Sequence, residues 1–206
     1  IRGVGYETNQ NAIATPSVSY HLDGIYVASP YSLQTDFLDL ERIEVLRGPQ
    51  GTLFGQNSTG GAINVVTQSP STDETYGSAD LTVGNHGLLK TRAFINKPIS
   101  ENLAMRASFI SNKRDGFTQN LSNGQDLDDA DSVSARVRLS YEPSDTFRAN
   151  FMAQMFHEDR NGAAQKGIID PTPDPRQLRQ NSLTEHQLDA ELFSAVLEWD
   201  QENFSI

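Results

Sequence analysis

From Ser132 to Tyr141 apolar and polar residues alternate without a break. Val133, Ala135, Val137, Leu139 and Tyr141 fall on one side, and Ser132, Ser134, Arg136, Arg138 and Ser140 on the other. A period of two marks a strand whose two faces meet different surroundings. The pattern recurs, with odd numbers apolar, in Ala79, Leu81, Val83; in Leu89, Ala93, Ile95; and in Leu103, Met105, Ala107, Phe109. It returns in Phe147, Ala149, Phe151, Ala153, Met155 and in Phe193, Ala195, Leu197, Trp199. Asp80, Lys90, Arg92, Arg106, Arg148, Asn150, Gln154 and Glu198 occupy positions between them. Phe94, Met152, Phe156 and Val196 interrupt the alternation without reversing it. Six strands are predicted, at 75–84, 88–97, 102–113, 131–142, 146–158 and 187–200.

A soluble β-sandwich also alternates, but its strands are typically about five or six residues long. These run to ten or more. Ten residues at ~3.3 Å each and a ~45° tilt cover roughly 23 Å, the height of an outer-membrane apolar band. The connections point the same way. Lys97–Glu101, with Pro98, and Glu142–Asp145, with Pro143, read as tight turns, while 114–130 and 159–186 are long polar excursions. Short turns on one rim and long loops on the other fit a transmembrane barrel. Tyr141 and Trp199 lie beside the short-turn rim, where an aromatic girdle is expected.

The first 68 residues have a different grammar, rich in glycine with short apolar runs such as Ala62–Val66. A polar stretch at Ser69–Asp73 separates the two styles and divides the chain into domains at 1–70 and 71–206. Six strands cannot enclose a domain of that size. A plugged barrel has about 22 strands, so at about 21 residues per strand most of the wall is expected to lie outside this sequence. Residue 1 is Ile and no leader with a charged and an apolar region opens the chain, which fits an internal piece.

Leu40–Thr67 reads LERIEVLRGPQGTLFGQNSTGGAINVVT. This closely resembles the plug domain of TonB-dependent outer-membrane receptors, with its RIEVLRGP…LYG…GGxINIVT signature. Ile1–Gly5 resembles that family's IRG strand, and Val18–Val27 (VSYHLDGIYV) its V-x-x-x-x-DG-V/I-x-V hairpin. Residues 75–206 are similar to the family's first barrel strands in pattern and position. The resemblance implies a mainly β chain: an α+β plug with a small mixed sheet, then the first strands of a large antiparallel transmembrane β-barrel. It implies TonB-dependent active transport across the bacterial outer membrane, with a ferric siderophore as the expected solute and cobalamin or an oligosaccharide as alternatives. TonB would engage a segment preceding Ile1.

By position within the resemblance, Glu7–Asn11 and Ala28–Ser32 are apical plug loops, with Asn9, Gln10 and Tyr31 as candidate ligand contacts. Arg2, Arg42, Glu44 and Arg47 are charges in a domain destined for a lumen. They are candidate plug–barrel ion pairs, with Arg2 and Arg47 facing wall carboxylates; solvated charge is the plainer reading. Gly48, Gly51, Gly55, Gly60 and Gly61 allow tight turns and φ > 0 at low steric cost.

Composition narrows the remaining choices. Against 16 Lys and Arg stand 27 Asp and Glu, a net charge of −11, which argues against a nucleic-acid surface. The mean hydropathy of −0.50 and the absence of a long apolar run exclude a helical span but not a barrel. No cysteine is present, which removes disulfides, thiol catalysis and Cys-ligated zinc. Gly51–Gly55 lacks the spacing and the lysine of a phosphate loop, and His157-Glu158 lacks the second histidine of a zinc protease. Asp126, Asp128, Asp129 and Asp131 lack the spacing and glycine of a calcium loop and read as solvated charge. No cofactor, metal or catalytic residue is expected. Besides active transport, a passive plugged porin and a soluble β-module that binds partners remain open; an enzyme is the least supported class.

Overall fold

A computed structural model describes residues 17–27, 38–55, 58–201 and 204–205. The chain divides into two compact units, Ile1–Ser69 and Pro70–Ile206. Arg2, Asn9, Gln10 and Tyr31 lie outside the described residues.

The first unit is built on a four-stranded mixed sheet in the order β2-β1-β4-β3. Its strands are β1 (Val18–Leu22), β2 (Ile25–Tyr26), β3 (Leu40–Arg47) and β4 (Gly61–Thr67). β1 and β2 form an antiparallel hairpin whose turn is Asp23-Gly24, both at positive φ (49° and 79°). An Asp-Gly pair is the favoured sequence for such a two-residue turn. β4 runs parallel to β1 and antiparallel to β3. A strand flanked on both sides and covered on both faces needs a continuous apolar run and not an alternating one. That is why Ala62, Ile63, Val65 and Val66 crowd together, with Ala62 and Val65 buried.

Between β3 and β4 the chain makes one short helix, α1 (Gly51–Phe54). Gly48, Gly55 and Gly61 take positive φ (88°, 71° and 145°), whereas Gly51 and Gly60 are not among the positive-φ glycines. Gly51 opens the helix, where ordinary backbone angles are required, and Gly60 donates its N–H to Ser17 O at 2.8 Å.

The second unit is dominated by a seven-stranded sheet in the order β14-β13-β11-β10-β7-β6-β5. The strands are β5 (Tyr76–Val83), β6 (Leu89–Ser100), β7 (Leu103–Arg114), β10 (Ala130–Ser144), β11 (Phe147–Arg160), β13 (His186–Gln201) and β14 (Phe204–Ser205). All pairings are antiparallel. The six predicted strands are present, but β6 and β10 run through Pro98 and Pro143, where turns were expected. A register irregularity at Pro98/Ser100 and another at Tyr141/Ser144 accommodate the prolines, and the turns tighten to 101–102 and 145–146.

The long excursions are not structureless either. β8 (Thr118–Asn120), β9 (Asp126–Leu127) and β12 (Gln177–Leu178) form a second sheet in the order β12-β8-β9. Asp128 and Asp129, which follow β9, are not simply solvated. The Asp128 carboxylate accepts from Thr118 Oγ1 at 2.6 Å and Ala164 N at 2.9 Å, and Asp129 accepts twice from Asn161 N. These carboxylates staple loop backbone. Among the described residues no group of three or more His, Cys, Asp or Glu is arranged to hold a metal.

Candidate functional site

The strand register stacks the alternating residues into continuous layers. Ile95 lies opposite Ala107, Ala107 opposite Val137, Val137 opposite Ala153 and Ala153 opposite Phe193. Odd positions therefore form one apolar face across the sheet. Many of its large side chains are exposed, Leu81, Ile95, Phe109, Phe151, Met155, Phe193 and Leu197 among them. An exposed apolar face of this extent marks a surface that meets a membrane or another partner.

The band has edges. Toward the long loops it ends at Lys113–Asp131 (3.5 Å), His157–Asp189 (2.6 Å) and Gln187–Asp159 (3.3 Å). Toward the tight turns it ends at Tyr141 and at the cross-strand pair Phe147–Trp199. From Phe147 to His157 the strand rises about 33 Å, or about 25 Å at a ~40° tilt, the height of a transmembrane barrel's apolar band.

The opposite face carries most of the strand cations together with the buried apolar side chains of Ala104, Ile110, Met152 and Phe156. Lys90, Arg92, Arg106, Arg114, Arg136, Arg138, Arg148 and Arg160 occupy it against Asp80, Glu142, Glu158, Glu198 and Asp200, in a chain whose net charge is −11. Arg106 and Arg136 are almost fully buried. Arg136 Nε donates to Gln154 Oε1 at 2.8 Å, and Arg106 donates to Tyr76 Oη at 3.0 Å with its guanidinium 4.2 Å from the Phe94 ring centre. Glu158 already pairs with Arg160 (3.3 Å) and His186 (3.2 Å). The described even-numbered face of this sheet thus carries more guanidinium than carboxylate groups.

In the first unit the motif blocks meet through polar side chains. Asn64 is buried in the middle of β4; its Oδ1 accepts from Gly24 N at 3.0 Å and its Nδ2 donates to Glu44 Oε2 at 2.9 Å. Glu44 Oε1 accepts from Arg42 Nε at 2.7 Å, and Arg42 also pairs with Glu41. The hydrogen bond from Asn64, then that from Arg42, holds the Glu44 carboxyl below its usual range; the Glu44 hydrogen bond in turn raises the Arg42 guanidinium. Asp23 binds Thr67 through both oxygens. His21, nearly fully buried, sits with its Nε2 3.1 Å from Ser19 Oγ and its ring edge-on to Phe54 and Tyr26. Burial lowers its pKa.

Of the candidate ion-pair residues, then, Arg42 and Glu44 are brought together within β3, and Arg47 is exposed at its end. The roles of Asp23, Asn64 and Thr67 were missed by sequence reasoning. The signals were an Asp-Gly turn and a lone amide inside an apolar run.

Comparison with known proteins agrees with this architecture. Residues 1–62 match the family described as TonB-dependent Receptor Plug Domain. The pesticin receptor of Yersinia pestis is 27% identical over 208 residues, covering 92% of this chain and 30% of the receptor. The ferric enterobactin receptor PirA of Pseudomonas aeruginosa is 31% identical over 104 residues, 48% of this chain and 14% of the receptor. Among solved structures, the ferric yersiniabactin uptake receptor FyuA from Yersinia pestis superposes with a TM-score of 0.77 at 25% identity, covering 91% of this chain and 30% of that one. The chain therefore spans about three-tenths of the length of the pesticin and ferric yersiniabactin receptors. Residues 1–62 thus match a TonB-dependent receptor plug domain, and the chain over nine-tenths of its length is similar in sequence to the pesticin receptor and in fold to the ferric yersiniabactin uptake receptor.

Proposed function

We propose that the intact protein carrying this chain resides in the bacterial outer membrane and imports a ferric siderophore, driven by TonB acting on a segment that precedes Ile1. The observation that carries this reading is the two-faced ribbon: an apolar band about 25 Å high backed by an arginine-rich face. The first face suits lipid, the second a wet lumen that can hold a plug. The similarity to receptors named for ferric enterobactin and ferric yersiniabactin supports iron chelates as the solute class. Transport, not catalysis, is the activity, and it requires solute binding to be coupled to plug order.

Within this reading the plug ends and the wall begins near 70–71. Asn9, Gln10 and Tyr31 are solute contacts at the apical plug loops, where amides and an aromatic ring suit a chelate. Arg2 and Arg47, with Arg42 and Glu44 already coupled to each other, are plug-side members of the ion pairs that seat the plug. An Arg47→Ala variant should raise leak of small antibiotics, and unchanged leak would remove Arg47 from that role.

The test is uptake of radiolabelled iron chelates by iron-starved cells that express the intact receptor in a deletion background. Uptake is expected to require the receptor and to stop when the proton gradient is collapsed. Uptake that survives collapse would point to a passive plugged porin instead.

A further inference from the structure

Three connections leave the same rim of the seven-stranded sheet: 84–88, 115–129 and 161–185. Each is tied to its neighbour through backbone. Asp115 N donates to His86 O at 2.8 Å, linking the first to the second. The second and third share a parallel strand pair, with Gln177 opposite Gln119 and Leu178 opposite Asn120. Gln119 N donates to Arg176 O, Leu121 N to Leu178 O and Asp128 N to Gly162 O, at 2.9, 2.9 and 3.0 Å.

Side chains close the same seam. Asn120, fully buried, donates to Gln180 O at 2.8 Å and accepts from Gln180 N at 3.0 Å. At the other end Gln125 donates to Thr184 O at 2.8 Å and accepts from Thr184 N at 3.3 Å. An amide that satisfies both the N–H and the C=O of a distant residue replaces a missing rung of sheet. Leu127 and Leu178 are buried in the same sheet, and the guanidinium groups of Arg114 and Arg176 each lie 4.8 Å from the Phe117 ring centre. Gly116 admits the close approach of β9: a Cβ there would stand 2.7 Å from Asp126 C. The third loop is braced internally as well. Asp170 accepts from Thr172 Oγ1, Thr172 N and Arg179 N, which hold its carboxyl down to about 2.

We propose that the second and third connections form one preassembled lobe that behaves as a single cooperative unit, keyed by Asn120 and Gln125. Loops that are long and polar in sequence would otherwise open independently, since local stability follows buried apolar contacts and protected backbone bonds. Here the contacts that protect one loop belong to its neighbour. The lobe is a fixed wall of whatever vestibule the rim surrounds, and solute-dependent rearrangement of this region must move it whole.

Native-state amide exchange on the intact membrane-embedded receptor tests this. The amides of Gln119, Leu121, Asp128, Gln180 and Thr184 should exchange with one common opening. Asn120→Ala and Gln125→Ala, at opposite ends of the seam, should each speed exchange of that whole set by about tenfold or more, because each leaves paired backbone groups without partners. Exchange that rises only in 118–127, with 177–184 unchanged in both variants, overturns the proposal. A second arm uses the paired variant Gln119→Cys with Gln177→Cys, which should oxidise without a spacer and leave iron-chelate uptake within about twofold. Uptake lost on oxidation and recovered with reductant means that the loops must part, and also overturns it. That arm rests on the transport reading; a wild-type receptor that carries no chelate counts against transport, while the exchange result alone decides the lobe.

Discussion

Both donors of Thr67, its backbone N–H and its Oγ1 hydroxyl, end on the carboxylate of Asp23, at 2.8 and 2.7 Å. The two residues are 44 positions apart and belong to different motif blocks, the hairpin turn and the end of β4. Thr67 is fully buried, so these donors have no water to turn to. The carboxylate at the turn is thus a structural pin that fixes the hairpin on the central strand.

Replacing that pin should be costly. In Asp23→Ala each buried donor left without its acceptor costs about 1–3 kcal/mol, and alanine tolerates the positive φ of the turn poorly. Asp23→Asn keeps one acceptor oxygen and accepts the backbone angle, so it should lose less than half as much. Amide exchange along β4 in the intact protein reads the difference. Equal losses for the two variants would show that the turn angle and the Thr67 bonds are not the cause.

How far the sequence carries these relationships differs between the two units. Strands such as Ser132–Tyr141 declare themselves because their two faces meet unlike surroundings, and alternation records that directly. β8, β9 and β12 are two or three residues long and too short for any period, so the sheet they form stays hidden until Asn120 and Gln180 are seen together. Pro98 and Pro143 suggest turns by their type, yet local irregularities keep both in strands. The plug motif is readable as a family signature, but the pairing of Arg42 with Glu44, and of Glu44 with Asn64, depends on which strands lie side by side. Nor does a chain of net charge −11 announce that one face of its sheet is basic; the acids gather in loops and at the rims.

His21 gives the plug a pH dependence of definite sign. Its folded pKa is lowered by burial, so the unfolded chain binds more protons in the window below the ordinary value of 6.5. Stability is then fully present above that value and falls as pH drops through it, flattening below the folded pKa. Exchange along the β1–β4 ladder should therefore accelerate, after correction for intrinsic rates, between pH 7.5 and 5.5. His21→Phe, whose ring can remain between Tyr26 and Phe54, should remove that slope. A slope that persists in the variant would assign it to another group.

Strand β5 is tied to β7 by Arg106, which donates to Tyr76 Oη at 3.0 Å while stacking over Phe94. Tyr76→Phe deletes the bond and keeps the ring, and should cost about 1 kcal/mol. Arg106→Lys keeps the charge but loses the planar stack and the directed N–H, so it should cost more than Tyr76→Phe, not less. Denaturant midpoints of the folded receptor give the order. An Arg106→Lys variant as stable as wild type would mean that position 106 needs only a positive charge.

The layer that contains Ala153 decides what the apolar face touches. Ala153 lies opposite Val137 and Phe193 in mid-band, while Asp159 lies opposite Gln187 at the rim. If the face meets lipid, Ala153→Arg should cost about 2–4 kcal/mol, as a cation near the bilayer midplane does, and Asp159→Arg only about 0–1. If the face meets water, both are surface changes within about 0.5 kcal/mol of wild type. Folding equilibria of the intact protein in bilayers separate the two cases. A depth-dependent penalty requires lipid along the odd-numbered face, which leaves the arginine-bearing even-numbered face as the lumen wall; a flat response would withdraw the membrane reading from these strands.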